Sequence, residues 1–157
     1  MLYGFFFLWY NLIMKIHLAT DHAGYEMKEF IKNELISLDY EVVDHGANYL
    51  DDNDDYPDFI KPCVEAVSKD QNSFGIIFGG SGQGEAMCAN RTNGIRAGVY
   101  YGGDTEIIKL LREHNNANVL SIGARFVNNQ QALECINLFL NTEFSKQDRH
   151  IRRLSSF

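Results

Sequence analysis

Cysteine is scarce in this chain of 157 residues, and its three copies, Cys63, Cys88 and Cys135, show no paired spacing. An odd number without paired spacing argues against a disulfide framework and against a zinc site. It is typical of a protein kept in a reducing compartment, so we predict a cytoplasmic location. We interpret the three thiols as small buried apolar side chains.

Positive charge is also scarce, because 14 lysines and arginines stand against 21 acidic residues and leave a net charge of −7. This charge does not favour binding to nucleic acid or to an anionic membrane surface, and we expect neither as a partner. The arginines that are present are therefore interpreted as local binding groups.

Apolar runs are short, and none reaches the roughly 20 residues that a membrane-spanning helix needs. The most apolar segment, residues 1–13, lacks the basic start and the small-residue cleavage site of a signal peptide. Because Met14-Lys15-Ile16 looks like the natural start of a chain, we predict that residues 1–13 are an extension of doubtful relevance. Residues 14–157 are predicted to form a single domain, since no linker or low-complexity segment divides them.

From residue 15 onward, short apolar runs alternate with segments in which apolar residues recur at helical spacing. Strands are predicted near residues 16–20, 41–44, 74–78, 94–100 and 118–123. A helix is predicted after each strand, with Pro62 in the first turn of the second helix, and the basic tail at 148–154 is predicted to be a further short helix. Five βα units in one domain predict an α/β fold, namely a three-layer α/β/α sandwich around a Rossmann-like five-stranded parallel sheet.

A glycine-rich loop follows the central strand, with the sequence Gly-Gly-Ser-Gly-Gln-Gly-Glu at residues 79–85. Glycines let the backbone turn sharply and approach a ligand, and the start of a helix favours negative charge. A Walker A loop would have lysine where this chain has Glu85, and a dinucleotide fingerprint would have another spacing and follow the first strand. The loop is therefore either a plain βα turn or a site that stabilises an oxyanion, with Glu85 available to remove a proton.

Asp21 and His22 end the first strand, and the carboxyl ends of parallel strands are where ligands bind in such sheets. The pair is either a sugar-phosphate contact or a simple cap for the following helix. The acidic loop at residues 51–55 is interpreted as solvated, because nothing in the sequence gives it the geometry of a cation site.

The fourth helix is predicted to pack through one apolar face, formed by Ile107, Leu110, Leu111 and His114. His114 ends this face, where it is either a packed residue or a general acid/base. Arg149 and Arg153 lie four residues apart, so a helical tail would place both guanidinium groups on one side. Such a pair is suited to a phosphate, and the alternative is a solvated basic tail.

Seven motifs in this order resemble the ribose-5-phosphate isomerase B family, which also includes the galactose-6-phosphate isomerase subunits. The resemblance covers the chain from Met14 to about Arg153. The motifs are Asp21-His22-Ala23-Gly24, Asp55-Tyr56-Pro57, Gly79-Gly80-Ser81-Gly82-Gln83-Gly84-Glu85, Ala89-Asn90-Arg91, Gly94-Ile95-Arg96-Ala97, His114-Asn115 and Gly123-Ala124-Arg125.

The resemblance implies an aldose–ketose isomerase of the non-oxidative pentose phosphate pathway, with no cofactor and no metal, that interconverts D-ribose 5-phosphate and D-ribulose 5-phosphate. His114 would open the sugar ring with help from Asp21. Some family members use a cysteine just before the loop as the base, where this chain has Gly79, and others use a glutamate just after it. The chain is therefore similar to the glutamate subtype, with Glu85 as the base that moves a proton through a cis-enediolate.

The resemblance also implies a set of substrate-binding residues, and it assigns the phosphate to a basic group rather than to the glycine loop. The phosphate group comprises His22, Arg125, Arg149 and Arg153. The remaining contacts would come from Asp21, Tyr56, Gly80, Ser81, Gly82, Gln83, Gly84 and Asn115. Family members are dimers or larger assemblies of dimers, so the resemblance implies a homodimer or homotetramer with shared active sites here, in which His114, Asn115 and Arg125 would reach a neighbour's site.

Two alternatives remain at this stage. One is a hexose-6-phosphate isomerase of the same family, for galactose or allose phosphates, although the galactose enzymes need two different subunits. The other is a non-catalytic module that only binds a sugar phosphate, which would need neither Glu85 nor His114.

Overall fold

The computed structural model describes residues 14–157, and the predicted extension at residues 1–13 lies outside the described residues. Residues 14–157 form five strands and six helices, which alternate until two helices follow the last strand. The strands are β1 (Lys15–Thr20), β2 (Glu41–Asp44), β3 (Ser73–Gly79), β4 (Ala97–Tyr100) and β5 (Val119–Gly123). The helices are α1 (Tyr25–Ser37), α2 (Pro57–Lys69), α3 (Gln83–Ala89), α4 (Glu106–Asn115), α5 (Asn129–Asn141) and α6 (Asp148–Leu154).

All strand pairs in the sheet are parallel, and the strand order is β2-β1-β3-β5-β4. The predicted α/β architecture is therefore confirmed. The chain passes from β1 outward to β2 and then returns to place β3 on the other side of β1, so strand order reverses between β1 and β3. A crevice outside the carboxyl ends of these two strands is the usual ligand position in such sheets.

The sheet buries an apolar core on each face. One core lies under α1, α4 and α5, and the other lies under α2 and α3. Cys63 and Cys135 are buried as predicted, whereas Cys88 is only partly buried. Burial raises the pKa of all three thiols above the ordinary value, which keeps them protonated and unreactive near neutral pH.

Two local predictions about helix geometry were wrong. Pro62 lies inside α2 rather than in its first turn, because the helix begins at Pro57. The carbonyl of Asp58, which would have bonded to an amide at position 62, is on an exposed residue and can be hydrated. In α4, the side predicted to pack carries Ile107, which is 56% exposed, while Ile108 and Arg112 are buried instead.

Among residues 14–157, no helix has both the length and the apolar character needed to cross a membrane.

Candidate active site

Asp21 and His22 leave β1 at its carboxyl end and enter a short 3-10 turn, His22–Gly24. A Cβ at Gly24 would lie 2.5 Å from the Cβ of Phe78, so glycine allows this turn to pack directly against β3. Oδ1 of Asp21 accepts the backbone N–H of Ala23 at 3.0 Å, which makes it the cap of the turn. The residue is nevertheless only 7% exposed, and burial raises the pKa of its carboxyl group.

His22 is held by Asp54, a residue that the sequence gave no reason to select. One carboxylate oxygen of Asp54 accepts both the backbone N–H of His22, at 2.9 Å, and its ring Nδ1–H, at 2.7 Å. This hydrogen bond raises the pKa of His22 and leaves Nε2 as the ring nitrogen that can meet a ligand. The acidic loop is thus solvated at Asp52 and Asp55, as predicted, but not at Asp54.

The glycine loop turns from β3 into α3 through Gly82, whose φ of +77° lies in the left-handed region. The Ser121 hydroxyl donates to the carbonyl of Gly82 at 2.7 Å and ties the loop to β5. Because α3 begins at Gln83, the first amides of the helix fall within the loop itself. The exposed Ser81 accepts the amide of Gln83 at 3.3 Å through its hydroxyl.

Glu85 lies in the first turn of α3 and is 4% exposed. Burial is the main cause that raises the pKa of its carboxyl group; an amide hydrogen bond opposes this, and the nearby Asp21 adds to it. The start of a helix favours a charged carboxylate and would lower this pKa, but burial has the larger effect and raises it. A raised pKa brings the carboxylate closer to the basicity that proton abstraction near neutral pH requires.

Two further predicted residues lie against the glycine loop. A Cβ on Gly84 would be 2.8 Å from the hydroxyl oxygen of Tyr56, and one on Gly80 would be 3.2 Å from Nη1 of Arg125. The backbone N–H of Arg125 also donates to the carbonyl of Gly80 at 3.1 Å. Arg125 therefore lies beside the loop of its own chain.

The other predicted residues lie at the opposite edge of the sheet. Helix α4 starts after the carboxyl end of β4 and ends just before the amino end of β5, and it carries His114 and Asn115 in its last turn. Its 10 residues span about 15 Å, far beyond the roughly 3 Å reach of a hydrogen bond. His114 therefore cannot meet Asp21 or Glu85 of its own chain.

Helix α6 packs against α4 at this amino-terminal edge of the sheet. The ring of His114 stacks on the ring of His150, with centroids 4.3 Å apart and planes inclined by 16°. Arg149 donates to Nε2 of His150 at 3.2 Å, and the pKa of His150 is lowered by burial and by its basic neighbours. Arg149 and Arg153 are exposed on the same helix.

At the carboxyl edge of the sheet, three residues have side chains that could hold a metal ion. Ligand atoms of Asp21, His22 and Asp54 lie there within 4.8 Å of one another. Nδ1 of His22 already donates to Asp54, so this nitrogen has no lone pair for a cation. We interpret the group as a hydrogen-bonded cluster.

Comparison with known sequences matches nearly all of the described chain to one family. The profile of the Ribose/Galactose Isomerase family matches residues 16–157. Ribose-5-phosphate isomerase B of Mycobacterium tuberculosis is 40% identical over 144 residues, which cover 90% of this chain and 86% of that protein. A probable ribose-5-phosphate isomerase B of Mycoplasma genitalium is 38% identical and covers 88% of this chain and 90% of its own length.

Solved structures give the same result. Ribose-5-phosphate isomerase B of Mycoplasma genitalium with bound ribulose-5-phosphate superposes with a TM-score of 0.85 at 36% identity, covering 90% of this chain and 92% of that one. The Thermotoga maritima ribose 5-phosphate isomerase superposes with a TM-score of 0.84 at 38% identity, covering 91% of this chain and 96% of that one.

Proposed function

The chain belongs to the ribose/galactose isomerase family, and from this premise we propose that it interconverts D-ribose 5-phosphate and D-ribulose 5-phosphate. The observation that carries the proposal is the match along nearly the whole chain to a structure with bound ribulose-5-phosphate. Residues 14–157 act as one isomerase domain. Its three cysteines are free, which supports a cytoplasmic location.

Glu85 is the base that moves the proton between C1 and C2 of the open sugar. Its burial raises its pKa, and the loop amides around Ser81 and Gly82 are placed to receive the enediolate oxygen as negative charge develops there. Amide donors of this kind contribute about 3–4 kcal/mol each to stabilising such an oxyanion. Tyr56 and Gln83 line the same loop and orient the sugar.

Ring opening is assigned to His114, with Asp21 as its acceptor partner. Because the two residues occupy opposite edges of one chain, the His114 that serves a given Asp21 comes from a second chain. We therefore propose a homodimer, or a homotetramer built from such dimers, in which every active site is shared between two copies. Asn115 accompanies His114 across the interface.

The surface around β4 supports this assembly. β4 is the last strand of the sheet and has no neighbour on its outer side among the described residues. Large apolar side chains are exposed on either side of it, which is uncommon on a monomer and suited to an interface. They are Met87 on α3, Tyr101 after β4, and Ile107 and Leu110 on α4.

The substrate phosphate is bound by basic groups from both chains. His22 and Arg125 lie at the carboxyl edge, and Arg149 and Arg153 of the second chain approach from α6. Two arginines one helical turn apart suit the several acceptor oxygens of a phosphate. They also offset the repulsion between a dianion and a protein of net charge −7.

A coupled assay on the purified protein tests the proposal, with ribose 5-phosphate, galactose 6-phosphate and allose 6-phosphate compared at equal concentrations. We expect turnover of the pentose phosphate and a kcat/KM at least tenfold lower for both hexose phosphates. Faster turnover of a hexose phosphate would show that the protein is a hexose-6-phosphate isomerase instead. Binding of sugar phosphate with no turnover of any of the three would instead indicate a non-catalytic module.

A further inference from the structure

A polar cavity, separate from the candidate active site, opens at the amino-terminal edge of the sheet, with a volume of about 460 Å³. Its wall includes Arg96 from the segment before β4, Arg112 from the last turn of α4 and Asn116 from the cap of that helix. None of the residues that we assign to the sugar phosphate lines it.

The two arginines converge on one residue. Nε of Arg96 donates to the backbone carbonyl of Asn116 at 2.7 Å, and Nη1 of Arg112 donates to the side-chain carbonyl of the same residue at 3.2 Å. Asn116 can present both acceptors because its φ of +45° places it in the left-handed region. The two guanidinium groups are therefore neighbours on the cavity wall. The positive charge of each one disfavours the charged form of the other.

No carboxylate neutralises this pair. Among residues 14–157, no acidic side chain lies within 4.0 Å of either guanidinium group, and residues 1–13 contain no aspartate or glutamate. Asp70 lines the cavity, but its Oδ1 accepts the amide of Asn72 instead. Burial and the neighbouring Arg96 lower the pKa of Arg112, as expected for two adjacent cations without a counterion.

Donor groups remain available on both arginines. Arg112 is only 7% exposed and is held over the ring of Phe74, with its guanidinium carbon 4.9 Å from the ring centroid. Its Nε donates to the carbonyl of Thr142 at 3.0 Å. Within the described part of the chain, Nη2 of Arg96 and Nη2 of Arg112 have no hydrogen-bond acceptor. Neither nitrogen is fully enclosed by protein. Both nitrogens thus remain accessible on residues that line the cavity.

We propose that this cavity is a second anion site, built by Arg96 and Arg112 to bind a small phosphorylated anion. Adjacent guanidinium groups supply paired N–H donors that match the oxygens of a phosphate, and a dianion offsets the repulsion between two neighbouring cations, of which Arg112 is buried. The site is separate from the proposed catalytic arginines and does not depend on the proposed reaction. An anion bound there contacts the helix end that carries His114 and Asn115.

Equilibrium dialysis with radiolabelled inorganic phosphate tests the site in the full chain. The Arg149→Gln/Arg153→Gln double variant removes the proposed catalytic phosphate contacts, and we expect it still to bind one phosphate per chain. In that background, Arg96→Gln should weaken the remaining binding at least tenfold. Arg91→Gln is the matched control, because this exposed arginine does not line the cavity and should leave the binding unchanged.

A second variant tests the site in case Arg96→Gln fails to fold. Gln71 lies at the exposed rim of the cavity, so Gln71→Glu keeps both arginines and supplies a competing carboxylate. It should also weaken phosphate binding at least tenfold. The proposal is overturned if the double variant binds no phosphate, or if Gln71→Glu in that background binds phosphate as tightly as its parent. Repeating the dialysis with glycerol 3-phosphate as competitor then distinguishes free phosphate from a phosphomonoester as the preferred occupant.

Discussion

The carboxylate of Glu85 occupies the space into which a side chain at position 79 would project. A Cβ added to Gly79 would lie 2.0 Å from both Cδ and Oε1 of Glu85, a separation that no real contact allows. A cysteine before the loop and a glutamate after it, the two alternative bases that the family resemblance implies, would compete for one volume. Glycine at position 79 is thus the condition under which Glu85 can point into the site.

Gly79→Ala should displace the Glu85 carboxylate and lower kcat at least a hundredfold, the scale of a lost general base. The side chain of Glu85 can move, so the fold should survive, with a melting temperature close to that of the wild type. Steady-state kinetics and thermal unfolding measure the two effects. In the Glu85→Gln background the same alanine should cause little further loss, since the two changes act through one group.

Glu85→Gln should lower kcat by at least a hundredfold while substrate binding and the fold are retained. The amide keeps the shape of the side chain and removes its basicity, so the loss belongs to proton transfer alone. The kinetics are compared with direct binding of ribose 5-phosphate by calorimetry. Activity within tenfold of the wild type would show that another residue is the base.

Asp54→Asn should change how phosphate binding depends on pH. Asp54 raises the pKa of His22 above its ordinary value of 6.5, so the ring keeps its positive charge to higher pH than a free histidine. The contribution of this charge to binding is complete below the ordinary pKa and is lost as pH rises through the raised value. Without Asp54 that loss should occur at lower pH.

The measurement is KM for ribose 5-phosphate across the pH range, with kcat recorded at each point. At neutral pH, KM in Asp54→Asn should rise roughly tenfold, the effect of losing one charge-assisted hydrogen bond of about 1.5 kcal/mol. Asp55→Asn is the matched control in the same loop, because its side chain is exposed. Equal pH profiles in all three proteins would mean that Asp54 does not tune His22.

Mixing two inactive variants should restore activity if the sites are shared. In a dimer of one Glu85→Gln chain and one His114→Ala chain, one site carries both lesions and the other carries neither. Equal amounts with free exchange should recover about a quarter of the wild-type activity, since half of the dimers are mixed and each has one intact site.

The matched control for this experiment pairs Glu85→Gln with Asp21→Asn. Both residues lie at the same edge of one chain, so a mixed dimer holds no intact site and activity should stay absent. Mass spectrometry verifies that subunits have exchanged in each mixture. If the first mixture also remains inactive, every site is built within a single chain.

The order of elements and the glycine loop could be predicted from the sequence because their signals are local. Apolar periodicity distinguishes β3 from the helices beside it, and the glycines between Gly79 and Gly84 mark a sharp turn through their own conformational freedom. Parallel strands have their carboxyl ends at one edge, so the meeting of Asp21 with that loop also followed from the pattern.

Other features depended on contacts between residues far apart in the chain. Asp54 pairs with His22 across 32 positions, and no local pattern separates it from its solvated acidic neighbours. The burial of Ile108 and Arg112 in place of Ile107 followed from how α4 rotates against the sheet, which packing decides rather than periodicity.

Only the tertiary structure placed His114 and Glu85 at opposite edges, because the direction in which α4 crosses the sheet sets where its last turn lies. The insertion of β5 between β3 and β4 likewise left β4 as an edge strand with apolar neighbours. Residue types and their spacing thus determined which chemistry this chain carries. The distances between those residues, on which the proposal of a second chain rests, were decided by the packing of helices on the sheet.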